Sequence, residues 1–157
     1  MSEPTIVAVG PTTVAVLRMT GSFAQIPEGY GRLYAWVTAH GLQPVGMPSA
    51  VYLTMPDVPE SDAIWELWAP VGAGVPEAEA DESGIAIRHV PGYEALSVMH
   101  VGPYDSIAPT YEAAMQWMGI QGYQMDGPPM ERYYSDPDEV PPEEYQTEVL
   151  LPVSKLG

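Results

Sequence analysis

The stretch Tyr145-Gln-Thr-Glu148-Val-Leu-Leu-Pro152-Val153, near the C-terminus, places one acid inside an otherwise apolar run of β-forming residues. An earlier stretch, Ile64-Trp65-Glu66-Leu67-Trp68-Ala69-Pro70-Val71, has the same design. Superposing Glu66 on Glu148 also brings Pro70 onto Pro152 and Val71 onto Val153. The chain therefore reads as two copies of one unit. Each copy carries a carboxylate where a hydrophobic residue would be less costly to bury.

The repeat extends outward from these strands. At an offset of 81, Gly21 pairs with Gly102, Ile26 with Ile107, Tyr30 with Tyr111 and Trp36 with Trp117. Gly41 then meets Gly122, Pro48 meets Pro129 and Tyr52 meets Tyr133, and one inserted residue brings Glu66 onto Glu148. Most matches are glycine, proline or aromatic, the types that fix turns and cores. Each unit reads strand–helix–strand–strand: repeat 1 at about 5–72, an acidic linker at 73–84, and repeat 2 at about 85–154. Tandem units of this kind predict a single α+β domain over residues 1–157, pseudo-twofold, with an antiparallel sheet and two main helices.

Local signals support that division. From Gln25 to His40, Ile26, Tyr30, Leu33, Tyr34 and Val37 keep helical spacing, and Gly41 supplies the stop. Gly29 and Gly31 interrupt this helix at about 1 kcal/mol each. In the second repeat, Asp105 or Ser106 is the expected cap of a helix whose stripe is Ile107, Tyr111, Ala114, Met115 and Met118. Pro109 fits its first turn. Strands are expected at 14–19, 50–54, 64–71, 85–90, 93–101, 130–134 and in the C-terminal run, with residues 119–129 a Gly/Pro-rich connection.

Composition narrows the function classes. Hydrophobic residues make up 46% of the 157, enough for a core, and no apolar run approaches the ~18 residues of a membrane span. The N-terminal Met-Ser-Glu-Pro-Thr lacks the basic start and apolar core of a signal peptide, and there are no cysteines, so a cytoplasmic location is expected. The 21 acids outweigh five scattered bases, giving a net charge of −16, so direct nucleic-acid binding is not expected. This acidity reads either as a solvated surface or as attraction for cationic ligands.

The carboxylates Glu148 and Glu66 are the first candidates for chemistry. Glu148 shares a strand face with Gln146, Leu150 and Pro152. It either points to solvent, or pairs with a base such as Arg132 on the neighbouring strand, or forms the floor of an aromatic cavity that neutralises a lipophilic cation. Four Trp and ten Tyr stand against one Phe. Trp36 and Trp117 read as core at matching helix positions, whereas Tyr104, Tyr133, Trp65 and Trp68 flank turns or the acids and read as pocket residues. His40, His89 and His100 lack metal-ligand spacing, and no metal or cofactor motif is present.

Taken together, His100-Val-Gly102-Pro103-Tyr104, the helix with Tyr111 and Trp117, Gly127-Pro128, Tyr133 with Asp136-Pro137, and Pro141-Pro-Glu-Glu144 before Thr147-Glu148-Val-Leu-Leu-Pro152-Val153 resemble the GyrI-like small-molecule-binding domain. This is the effector-binding module of AraC- and MerR-type multidrug regulators. The match is strong over about 85–153 and follows mainly from the repeat over 5–72. The resemblance implies a ligand groove between the two halves and ligands that are hydrophobic and often cationic. It also implies a last-strand glutamate, matched by Glu148, that meets the positive charge. Tyr133 and Tyr104 match aromatic positions near that groove. Some stand-alone relatives are hydrolases that open cyclopropane-bearing alkylating compounds with that glutamate, and others inhibit gyrase through protein contact. The helix-turn-helix of the regulators is not found in this sequence. Three readings stand: a stand-alone binder of cationic small molecules, a small hydrolase with Glu148 as base, and a modulator of a protein partner.

Overall fold

The structure is a computed structural model that describes residues 3–54, 58–135 and 139–156. Among these residues the strands and helices are β1 (Thr5–Val9), β2 (Thr12–Thr20), α1 (Ile26–Ala39), β3 (Ser49–Tyr52), β4 (Ile64–Val71), β5 (Ile85–Val90), β6 (Tyr93–Val101), α2 (Ala108–Gln121), β7 (Tyr123–Met125), β8 (Met130–Tyr133) and β9 (Gln146–Lys155). Antiparallel strands with two main helices place the chain in the α+β class, as the repeat predicts. It divides into two compact units, residues 10–92 and residues 1–9 with 93–157.

In the unit of residues 10–92 the strand order is β3-β4-β2-β5. Strand β2 lies inside it between β4 and β5, and Val14 to Leu17 are buried without alternation. Helix α1 buries Gly29, Leu33 and Val37. Gly29 lets the helix approach closely: a Cβ there would lie 2.6 Å from both Leu67 Cδ1 and Met19 Sδ. That identifies the α1 face of the sheet as the one bearing Met19 and Leu67. Arg18, Glu66 and Trp68 alternate with these residues and occupy the opposite face.

One expectation here changes. Trp36 is half-buried rather than core: its Nε1 donates to Asp81 Oδ2 at 2.8 Å, and its ring stacks on His40. Bonds from Ser83 and Trp36 hold the Asp81 carboxyl down at about 2. The acidic stretch that contains Asp81 is fastened further by paired backbone bonds between Ala78 and Ile87.

The other unit has the order β1-β6-β9-β8, with β7 paired to the far end of β9. Strand β1 precedes β2 in sequence yet pairs with β6, while β5 precedes β6 yet pairs with β2. Helix α2 packs Ala114 and Met118 onto Leu96, Val98, Val149, Leu151 and Val153. Met115, expected in that stripe, is 49% exposed, because α2 is apolar around much of its circumference. Neither Asp105 nor Ser106 caps the helix, which starts at Ala108 behind a 3-10 turn over Tyr104–Ser106. Ser106 Oγ instead donates to Pro103 O at 2.8 Å. The short strand β7 lies inside the stretch expected to be a connection. No helix among the described residues is long and apolar enough to cross a membrane.

Candidate functional site

Strand register fixes which acids share a face. Arg132 on β8 stands opposite Glu148 on β9, and Met99 on β6 stands opposite Glu148 on the other side. Glu148 therefore lies on the face away from α2, since its neighbours Val149 and Leu151 are under the helix. Its carboxylate accepts from Ser97 Oγ at 2.5 Å and from Tyr134 OH at 2.7 Å, and Arg132 Nη1 lies 3.5 Å away. Of the readings open for Glu148, the ion pair with Arg132 is present. Burial, followed by the bond to Glu148, pushes the Tyr134 phenol up.

Glu131, one residue before Arg132, turns to the helix face. It is buried at 8% exposure and accepts from Tyr111 OH at 2.7 Å and from Tyr133 OH at 3.1 Å. Tyr104 meets the edge of Tyr133 at 5.7 Å between ring centroids and stacks on Tyr145 at 4.9 Å. Burial raises the Tyr104 phenol, and Tyr145 and Glu131 raise it further. Four tyrosines thus gather around one buried carboxylate, and Tyr104, at 40% exposure, forms the outer edge of the group.

The turn that carries Tyr104 is built firmly. Gly102 adopts φ +134°, and its N–H donates to Tyr145 O at 2.8 Å, which ties the two stacked tyrosines together through the backbone. Beneath it, buried His100 contacts Thr110 Oγ1 through Nδ1 at 2.9 Å and Pro103 O through Nε2 at 3.0 Å. Because the carbonyl only accepts, Nε2 donates to it, and Nδ1 pairs with the threonine hydroxyl. His100 thereby braces the turn from below.

The remaining sequence candidates are placed differently. Tyr104 and Tyr133 come together, but around Glu131 and not around Glu148. Trp65 is fully buried, with its Nε1 donating to Gly21 O at 3.0 Å. Glu66 is also buried, and it accepts from Arg18, Arg88 and Trp68. Burial alone would raise the Glu66 carboxyl, but bonds from Arg88, Trp68 and Arg18 hold it below the ordinary range. The motif residues Asp136 and Pro137 lie outside the described residues. Among the described residues no cluster of His, Asp and Glu suits a metal ion.

Glu131 was not singled out from sequence, although the repeat held a signal. At the offset of 81 its counterpart is Ala50, a fully buried alanine on β3. An acid that replaces a core alanine between matching tyrosine pairs, Tyr30 with Tyr52 and Tyr111 with Tyr133, marks where the second copy departs from the first.

Comparison with known proteins agrees with this architecture. The chain is 34% identical over 136 residues to a DNA gyrase inhibitor of Edwardsiella ictaluri, covering 83% of this chain and 86% of that protein. Its fold matches the crystal structure of the EcmrR C-terminal domain with a TM-score of 0.84 at 23% identity, covering 98% of each chain. It also matches a hydrolase from Listeria innocua with a TM-score of 0.75 at 19% identity, covering 97% of this chain and 92% of the other. The GyrI-like small molecule binding domain matches residues 2–154, nearly the whole length, and the chain belongs to that family.

Proposed function

We propose that this protein binds hydrophobic, cationic small molecules, and that Glu131 within the tyrosine cluster meets the positive charge. The observation that carries this reading is the buried carboxylate held by Tyr111 and Tyr133 beside the Tyr104–Tyr145 stack. Aromatic faces and a carboxylate together favour a flat organic cation, through stacking, cation–π attraction and direct charge contact. Membership of a small-molecule-binding family supports the reading. Glu148, the position to which the family resemblance points, is the second acceptor. Its charge is already shared with Arg132, so a ligand there would compete with a resident cation.

The test is a fluorescence titration with rhodamine- and ethidium-type dyes, run beside neutral analogues of similar shape. Saturable binding that favours the cations supports the reading, and equal affinity for neutral and cationic dyes removes the role of the acid.

A hydrolase reading draws on the fold shared with the Listeria hydrolase and on the same carboxylate–tyrosine group, which could orient a water. Turnover of a cyclopropane-bearing alkylating compound, with product detected by mass, would decide for it. The name carried by the Edwardsiella relative supports a protein-partner reading, tested by a gyrase supercoiling assay with the purified chain.

A further inference from the structure

Two of the chain's five basic residues, Arg18 and Arg88, converge on one buried acid on the helix-free face of residues 10–92. Arg18 stands opposite Glu66 across the β2–β4 pair and donates to Oε2 through Nε at 3.2 Å and Nη2 at 2.9 Å. Arg88 stands opposite Val14 across the β2–β5 pair and reaches over β2 to the same carboxylate, with Nη1 3.0 Å from Oε1 and Nη2 3.1 Å from Oε2. Trp68 Nε1 completes the set at 3.0 Å from Oε1. The Glu66 side chain is 2% exposed, yet those of Arg18 and Arg88 are 61% and 42% exposed. The acid is therefore the floor of the cluster and the cations are its outer surface.

This arrangement does more than neutralise Glu66, for which one guanidinium would suffice. A guanidinium has five N–H donors, and each arginine spends two on Glu66, which leaves three apiece directed elsewhere. The local sum is one net positive charge on a chain of net charge −16. Both forks are already held by the buried carboxylate, so much of the side-chain ordering that anion binding would demand is done beforehand. The half-buried Trp68, bonded to the same acid, sets an aromatic ring beside them.

We propose that Arg18 and Arg88, anchored by Glu66 and flanked by Trp68, form a binding site for a small organic anion, with aromatic carboxylates the class that fits. The carboxylate takes the free guanidinium donors and the ring lies along the indole. Glu66 then serves as the anchor of an anion site, and the two repeats differ in polarity at their matching acids: one guanidinium accompanies Glu148, two accompany Glu66. No residue of this site belongs to the tyrosine cluster around Glu131.

Sodium benzoate, titrated into the full chain at constant ionic strength and followed by calorimetry and by the arginine Nε–H signals in nitrogen-15 NMR, tests the proposal. Saturable binding that shifts the Arg18 and Arg88 signals, weakened about tenfold or more in Arg18→Gln, is expected. Arg18→Gln leaves Arg88 on Glu66, so the fold is retained, and an unchanged circular dichroism spectrum of that variant confirms it. Arg18→Lys keeps the charge but loses the fork, and it should recover only part of the affinity. Benzoate effects no larger than those of chloride, or binding unaltered in Arg18→Gln, overturn the proposal.

Discussion

Glu131 and Glu148 stand on neighbouring antiparallel strands, one residue out of register, and face opposite sides of their sheet. Arg132 is the partner of Glu148 in the β8–β9 ladder, so Glu131, the residue before it, projects toward α2 where Tyr111 meets it. A single step along β8 thus separates an acid paired with a guanidinium from an acid that accepts from two phenols. The two carboxylates are close in sequence pattern and distinct in chemistry.

Substituting each acid in turn distinguishes them. Glu131→Gln retains an acceptor for the tyrosines but loses the charge. Its affinity for cationic dyes should fall about tenfold to a hundredfold while neutral analogues change little. Glu148→Gln should alter both classes less, because Arg132 already answers that charge. Dye titrations of the two variants side by side check this, and the reverse ranking would move the acceptor to Glu148.

The Gly102 turn offers a second lever on the same cluster. At φ +134° a side chain is strained by about 1–3 kcal/mol, and the turn must shift to relieve it. Gly102→Ala should therefore lower the urea midpoint. It should also loosen the Tyr104–Tyr145 stack, which is joined through the Gly102 N–H, so that dye affinity declines with stability. Loss of stability with dye affinity intact would separate the turn from the site.

Glu66 predicts a pH dependence of stability. Its folded-state pKa lies below the ordinary 4.5, so its contribution is complete above that value and is lost as pH falls through the depressed one. Near neutral pH, Glu66→Gln should cost about 1–3 kcal/mol, the range for a buried bond to a charged group. On acidification the wild type protonates the same oxygen, and the gap between the two proteins should close. Urea unfolding at stepped pH measures it. A gap that widens in acid would contradict the sign.

How much of this was legible follows from which forces are local. The repeat and its strands could be read because Gly, Pro and aromatic residues mark turns and cores in both copies, and Arg132 beside Glu148 follows from adjacent strands. The Glu66 cluster needed topology: Arg88 arrives on β5, whose pairing with β2 no spacing in the sequence announces. Glu131 was hidden because Glu131 and Arg132 are both charged, so alternation along β8 does not say which one faces inward. Met115 was misplaced for a related reason, since an apolar residue on a helix that is apolar nearly all round reveals no direction.

The two glycines of α1 carry opposite predictions, although sequence treats them alike as helix breakers. Gly31 is exposed, and a Cβ there meets nothing within 4 Å, so Gly31→Ala should stabilise by about 0.5–1 kcal/mol through helix propensity and the unfolded chain. Gly29 gains the same propensity term from alanine but forces a methyl to 2.6 Å from Leu67 Cδ1 and Met19 Sδ. Met19 can swing its flexible end aside. Leu67 is fully buried in the core, and moving it shifts α1 off the sheet. Overpacking of that kind costs about 1–3 kcal/mol, which exceeds the propensity gain, so Gly29→Ala should be net destabilising. Urea unfolding of the two single variants is the check. A stabilised Gly29→Ala would mean that α1 does not rest on Leu67 as closely as the geometry requires.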